Sequence, residues 1–209
     1  MKRFYQIFFL LLGLAPSLLV AGTGEGVKAW MASDAPVLLV EGKPFTVTLV
    51  LDLQPGWHTY WQYPGDSGLP PKVTWNLPEG WTVGPVEFSV PHQFSEPGDM
   101  IIYGYEKQQL LRATITSPRD LPKDKIFELK ASLSWLACKE LCVPGSADVD
   151  LNVLGPTEGP TSISWKTANV PKGDWPLSGT PPFAFSVSGE NGTKLLSFTG
   201  VNGAAYEFY

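Results

Sequence analysis

Two cysteines, Cys138 and Cys142, are the only thiols in the chain, and they sit within Trp135-Leu-Ala-Cys138-Lys-Glu-Leu-Cys142-Val-Pro-Gly145. A close thiol pair can serve as a staple, as a redox couple or as part of a soft-metal site. As a staple it is poor. In the chain-entropy view a ring this short stabilises a fold by about 2 kcal/mol, against roughly 4 for a sixty-residue loop. A bond at an exposed edge is also open to thiolate attack, which favours the redox couple. A soft ion such as Cu(I) would need His58, His92 or a Met beside the two sulfurs, and the spacing is not that of a zinc finger. The residue types leave open which thiol attacks: Lys139 would lower a neighbouring thiol pKa and Glu140 would raise it.

The flanking sequence says how the pair is held. Leu129, Ala131, Leu133 and Trp135 alternate toward one face of a strand, so Lys130, Ser132, Ser134, Leu136 and Cys138 point to the other. Lys139-Glu140-Leu141 has the length of a hairpin connection, and Cys142 starts the return. The sulfurs then face each other near a hairpin tip; one helical turn would also bring them together.

Strand-like alternation runs through the rest of the chain. Phe45, Val47, Leu49, Leu51 and Leu53 share one face, ended by Gln54-Pro55-Gly56. Strands are expected at 57–62, 72–76, 81–90, 109–116, 126–137 and 147–154, with loops at 64–71 and 91–99. Roughly seven or eight short strands with Gly/Pro punctuation and no amphipathic helix predict an all-β fold, an immunoglobulin-like antiparallel β-sandwich over residues 33–154. Residues 155–182 read as a linker, with 162–170 a short helix or an extended connector. Residues 183–209 read as the start of a second β unit, with a hairpin turn at Glu190-Asn191-Gly192.

Residues 1–22 read as a signal peptide: Lys2 and Arg3, an apolar run interrupted by Gly13 and Pro16, then small residues at Ala21 and Gly22. Export implies an oxidising compartment. The net charge of −5 becomes more negative once Lys2 and Arg3 are removed, which argues against nucleic acid as partner.

The aromatic group Trp57, Tyr60, Trp61 and Tyr63 fits core packing or a stacking platform for sugar. Because alternate residues face opposite ways, part of the group should be buried. His58 reads as a satisfied loop or edge residue, and Asp66-Ser67 as turn chemistry. A non-catalytic β-sandwich that binds copper, protein or glycan, with a structural disulfide, is the alternative to a redox domain.

Four ordered segments carry a family resemblance: Gly56 to Pro70 with its Pro-Gly-Asp-Ser-Gly, Leu77-Pro-Glu-Gly-Trp81, Tyr103-Gly-Tyr105 and Trp135–Gly145. Together they resemble the N-terminal periplasmic domain of DsbD-type thiol:disulfide interchange proteins, in the ScsB-like, suppressor-of-copper-sensitivity branch. The resemblance covers roughly 33–154. It implies a periplasmic sandwich whose cysteine pair takes electrons from a membrane-embedded domain, through a periplasmic thioredoxin-like domain, and passes them to disulfide isomerases or thioredoxin-like reductases. It implies no cofactor and no metal, since the sulfurs carry the electrons. It assigns mixed-disulfide formation to Cys142 and resolution to Cys138, and a cap loop over the bond at Ile102, Tyr103 and Gly104. Ile102 stands where better-known members carry Phe, and Met100 and Ile101 replace two acidic residues.

Overall fold

The computed structural model describes residues 22–33, 39, 41–157, 170–176, 184–188 and 195–199. The expected signal segment lies outside the described residues except for Gly22, as do 162–169 and the turn at Glu190-Asn191-Gly192. The chain divides into two units, Met1–Gly173 and Asp174–Tyr209.

Among the described residues of the first unit, the elements are all strands. The larger sheet contains β1 (Gly22–Gly24), β2 (Val27–Ser33), β3 (Pro44–Leu53), β10 (Gln108–Thr116), β6 (Thr82–Val83) and β7 (Glu87–Phe88). It runs in the order β1-β2-β3-β10-β6, with β7 also on β10. A second sheet has the order β12-β11-β5, built from β5 (Lys72–Asn76), β11 (Ile126–Cys138) and β12 (Cys142–Leu154). All pairings are antiparallel.

These two sheets share one apolar core. Val27, Ala29 and Met31 of β2 and Val47, Leu49 and Leu51 of β3 meet the odd-numbered residues Phe127 to Ala137 of β11 and Ala147, Val149 and Val153 of β12. Period-two alternation is what places them there. Burial along β11 alternates from Ile126 to Trp135 as expected. The architecture is the immunoglobulin-like antiparallel sandwich. It includes β2, which lies upstream of the expected start at residue 33.

A third sheet, in the order β4-β9-β8, differs from the sequence expectation. It contains β4 (Thr59–Gly65), β8 (His92–Glu96) and β9 (Met100–Tyr105). The segment 91–99, expected as a loop, holds β8, which turns through Pro97-Gly98-Asp99 into β9. Gly98 and Asp99 both have positive φ, 92° and 59°, as a tight reversal requires. Ile102–Gly104, expected in a cap loop, lies in β9, the central strand of this sheet. The expected strand 81–90 is split into β6 and β7 around Gly84-Pro85.

In the second unit the backbone forms an antiparallel pair, β13 (Ala184–Ser188) with β14 (Leu195–Thr199). Among the described residues no helix is long and apolar enough to cross a membrane.

Candidate functional site

Cys138 ends β11 and Cys142 begins β12, and the two are direct cross-strand partners joined as a disulfide. The Cys138 N–H and carbonyl are turned outward, to the carbonyl and N–H of His58, at 3.0 and 2.9 Å. The Cys138–Cys142 pair is therefore a non-hydrogen-bonded one, the kind whose Cα atoms approach most closely, here 4.0 Å apart. Two neighbours in the motif follow from the same register. Trp135 lies opposite Gly145, and a Cβ at Gly145 would collide with the indole.

The two sulfurs have different surroundings. Cys138 is 3% exposed, whereas Cys142 is exposed beside Leu141, itself 78% exposed at the hairpin tip. Lys139 lays its aliphatic stem toward Gly56.

Cys138 and Leu136 point away from the main core, as the alternation predicts, yet Cys138 is buried and Leu136 half-buried. The β4-β9-β8 sheet covers them with a separate apolar cluster: Tyr60, Ile102 and Cys138, with Phe94, Met100 and Leu136 packed against it. Phe94 and Ile102 are register partners. Of the three residues expected at a cap, Ile102 alone packs in this cluster. Tyr103 turns its ring toward Trp61. Gly104 passes so close to the Thr59 carbonyl that a Cβ there would clash.

The Pro64-Gly-Asp-Ser-Gly68 stretch fixes this covering sheet. Asp66 Oδ2 accepts from the Ile101 N–H at 2.8 Å, and the Asp66 N–H donates to the Ile101 carbonyl at 3.0 Å. Gly68, at φ 102°, lies against the ring of Tyr60, where any side chain would overlap it. Gln109 Nε2 donates to the Tyr60 carbonyl at 2.9 Å.

Three polar groups reach the sulfurs as a chain. The Tyr60 hydroxyl donates to Cys138 Sγ at 2.9 Å and lies 3.7 Å from Cys142 Sγ. His58 Nε2 is 3.2 Å from that hydroxyl and 2.9 Å from Glu96 Oε1. The imidazole packs edge-on against Tyr60 and Phe94. Burial pushes the Tyr60 phenol up to about 12, with the negative charge of Glu96 adding to the shift. Burial holds the His58 imidazole below its usual value, against the opposing pull of Glu96 and Glu106.

Sequence reasoning found the cysteine pair but not His58, Tyr60 or Glu96 as its companions. The first two carried a usable signal, since residues two apart on a strand share a face. Glu96 carried none, because β8 was expected as loop. His92, weighed as a soft-metal ligand, is an exposed residue at the start of β8. Among the described residues no three His, Cys, Asp or Glu side chains are grouped as a metal site.

Comparison with known proteins fits this geometry. Residues 27–154 match the family described as thiol:disulfide interchange protein DsbD, N-terminal. Among solved structures, the N-terminal periplasmic domain of ScsB from Proteus mirabilis is 21% identical, over 61% of this chain and 47% of that one, with a TM-score of 0.45. The chain therefore spans about half of that structure. The reduced DsbD N-terminal domain of Neisseria meningitidis is 14% identical, over 63% of this chain and 87% of that one, at a TM-score of 0.36. AvmM, described as catalysing macrocyclization in alchivemycin A biosynthesis, is 12% identical, over 68% and 94%, at 0.35. Comparison with curated protein sequences finds no match. The family match takes in more than half of the chain and both cysteines, so this chain belongs to the family of N-terminal domains of thiol:disulfide interchange protein DsbD.

Proposed function

We propose that this domain relays electrons in the periplasm, from a membrane-embedded reductase module to disulfide-containing partners, through Cys138 and Cys142. In the reduced state the Cys142 thiolate attacks a partner disulfide and forms a mixed disulfide with it, releasing the partner's second sulfur as a thiolate. Cys138 then attacks Cys142 Sγ, expels the partner's first sulfur and closes the intramolecular bond. Two electrons pass to the partner, and the sulfurs need no cofactor. Thioredoxin-like domains and disulfide isomerases are the partners this chemistry suits. Ile102, with its strand, acts as the cover that keeps Cys138 from reacting with small thiols.

The observation that carries the reading is the difference in exposure across one bond, with Cys138 buried and Cys142 exposed. A partner meets Cys142 before Cys138, which supports the order of attack proposed here. The test is a redox titration paired with trapping. The pair should equilibrate at roughly −180 to −270 mV, within reach of thioredoxin-like proteins. Cys138→Ser should accumulate mixed disulfides through Cys142, and Cys142→Ser should not. A bond below about −300 mV with no trapped adduct would instead mark a static staple in a binding module.

A further inference from the structure

We propose that Tyr60 is a catalytic residue of the exchange, a hydrogen-bond donor held on the sulfur of Cys138, and that His58 and Glu96 are the positioning residues that aim it. The proposal rests on the reading of Cys138/Cys142 as an exchanging pair. It adds what stabilises the sulfur that leaves.

A carboxylate only accepts, so His58 Nε2, 2.9 Å from Glu96 Oε1, must carry the hydrogen. That holds for neutral imidazole and for imidazolium alike. With that hydrogen on Nε2, the ring nitrogen has no lone pair with which to accept from the Tyr60 hydroxyl 3.2 Å away. The single hydroxyl hydrogen of Tyr60 then has the sulfurs as its remaining target, Cys138 Sγ at 2.9 Å being nearer than Cys142 Sγ at 3.7 Å. The phenol stays protonated well beyond neutrality, so the donor is present at any working pH.

The step it serves is the reduction of the bond by a dithiol donor. The donor thiolate attacks the exposed Cys142 Sγ, a donor–Cys142 bond forms, the Cys138–Cys142 bond breaks and the electron pair settles on Cys138 Sγ. That thiolate forms on a cysteine only 3% exposed in the bonded state, where an unpartnered charge is costly. The Tyr60 hydroxyl supplies its charge-assisted hydrogen bond, as an oxyanion hole does for oxygen. The donor's second thiolate then attacks its own first sulfur, which frees Cys142 as thiolate. Both electrons of the donor end on the pair, and protons from solvent neutralise the two sulfurs.

Tyr60→Phe in the full chain removes the hydroxyl and keeps the ring against Gly68. Reduction by dithiothreitol should slow on the order of tenfold to a hundredfold. In a Cys142→Ser background, ultraviolet titration of the lone Cys138 thiolate should show its pKa raised by the same change. Glu96→Ala gives a signature that a structural role would not. Without the carboxylate, neutral imidazole is free to move its hydrogen to Nδ1 and draw the Tyr60 hydrogen to Nε2. The variant should therefore lag behind the wild type at alkaline pH and recover toward it as His58 protonates. The groups facing that imidazole are Glu96 of β8, Glu106 beyond β9 and Tyr60 of β4, through whose hydroxyl it is linked to the sulfurs. A Cys138 titration unmoved by Tyr60→Phe would overturn the proposal, even if trapping through Cys142 succeeds. If Tyr60→Phe fails to fold, a Glu96→Ala to wild-type rate ratio that is flat with pH overturns it instead. A pair inert to all dithiols defeats the relay reading, and the thiol titration still decides the role of Tyr60.

Discussion

Asp66 and Ile101 are joined twice, side chain to backbone and backbone to backbone, across the loop that leads from β4 toward β5 and the strand that covers the disulfide. The contact is on the surface, yet it anchors β9 one residue from Ile102, which packs in the cluster with Cys138. Asp66→Ala should cost about 1 kcal/mol in global stability. Its larger effect should be on access, with reduction by a small thiol accelerated several-fold while the melting temperature falls by only about 2–4 °C. Equal reduction rates in variant and wild type would show that this anchor does not control the cover.

Gly68 makes a sharper demand. Its φ of 102° and its approach to Tyr60 exclude a side chain on two independent grounds. Gly68→Ala should destabilise the domain by about 2 kcal/mol or more, and displace the phenol from Cys138. Urea unfolding gives the first quantity, and near-ultraviolet circular dichroism with the dithiol rate gives the second.

The two apolar clusters predict separable mutants. Leu129 is fully buried in the main core and takes no part in the cluster around Cys138. Leu129→Ala should lower stability by about 2–5 kcal/mol and leave the rate of disulfide reduction in the folded state unchanged. Ile102→Ala should do the reverse in proportion, with a smaller stability loss and a faster reduction. Denaturant melts beside thiol-exchange rates under native conditions would reveal whether the clusters are as distinct as their packing.

Two groups give stability a defined pH dependence. The His58 pKa is lowered from 6.5 by burial, so below 6.5 the unfolded chain binds the proton more readily than the folded one. Its contribution is complete above 6.5 and is lost as pH falls toward the folded value. The Tyr60 pKa is raised from 10.0 to about 12, so its contribution is complete below 10 and is lost as pH rises through 12. His58→Gln should flatten the acid limb of a stability–pH curve, and Tyr60→Phe the alkaline limb. An unchanged acid limb in His58→Gln would place its origin elsewhere.

Much of this arrangement could be read from the chain, and the exceptions have physical causes. β5 lies at Lys72–Asn76, where alternation put it, and the β11–β12 hairpin follows from period-two burial along β11 from Ile126 to Trp135. β8 was missed because His92-Gln-Phe-Ser-Glu96 has one apolar residue. Its inward positions are Phe94 and Glu96, and Glu96 is tolerated there by its 2.9 Å contact with His58 Nε2. No local pattern announces a half-buried acid whose partner lies on another strand. The stretch 81–90 looked continuous, yet Gly84-Pro85 breaks it, and Gly84 reaches β10 through a single bond to the Thr114 carbonyl. At the site, the cysteines and the resemblance pointed to the chemistry. The Tyr60–His58–Glu96 chain required the register of three strands.

The separate covering sheet has a consequence for repeated use. The main cluster of the sandwich excludes both cysteines, so opening the bond should forfeit little beyond the ring's own contribution of about 2 kcal/mol. On the relay proposed above, each turnover would then leave the scaffold closed to proteases, and wear would fall on the sulfurs before it fell on the fold.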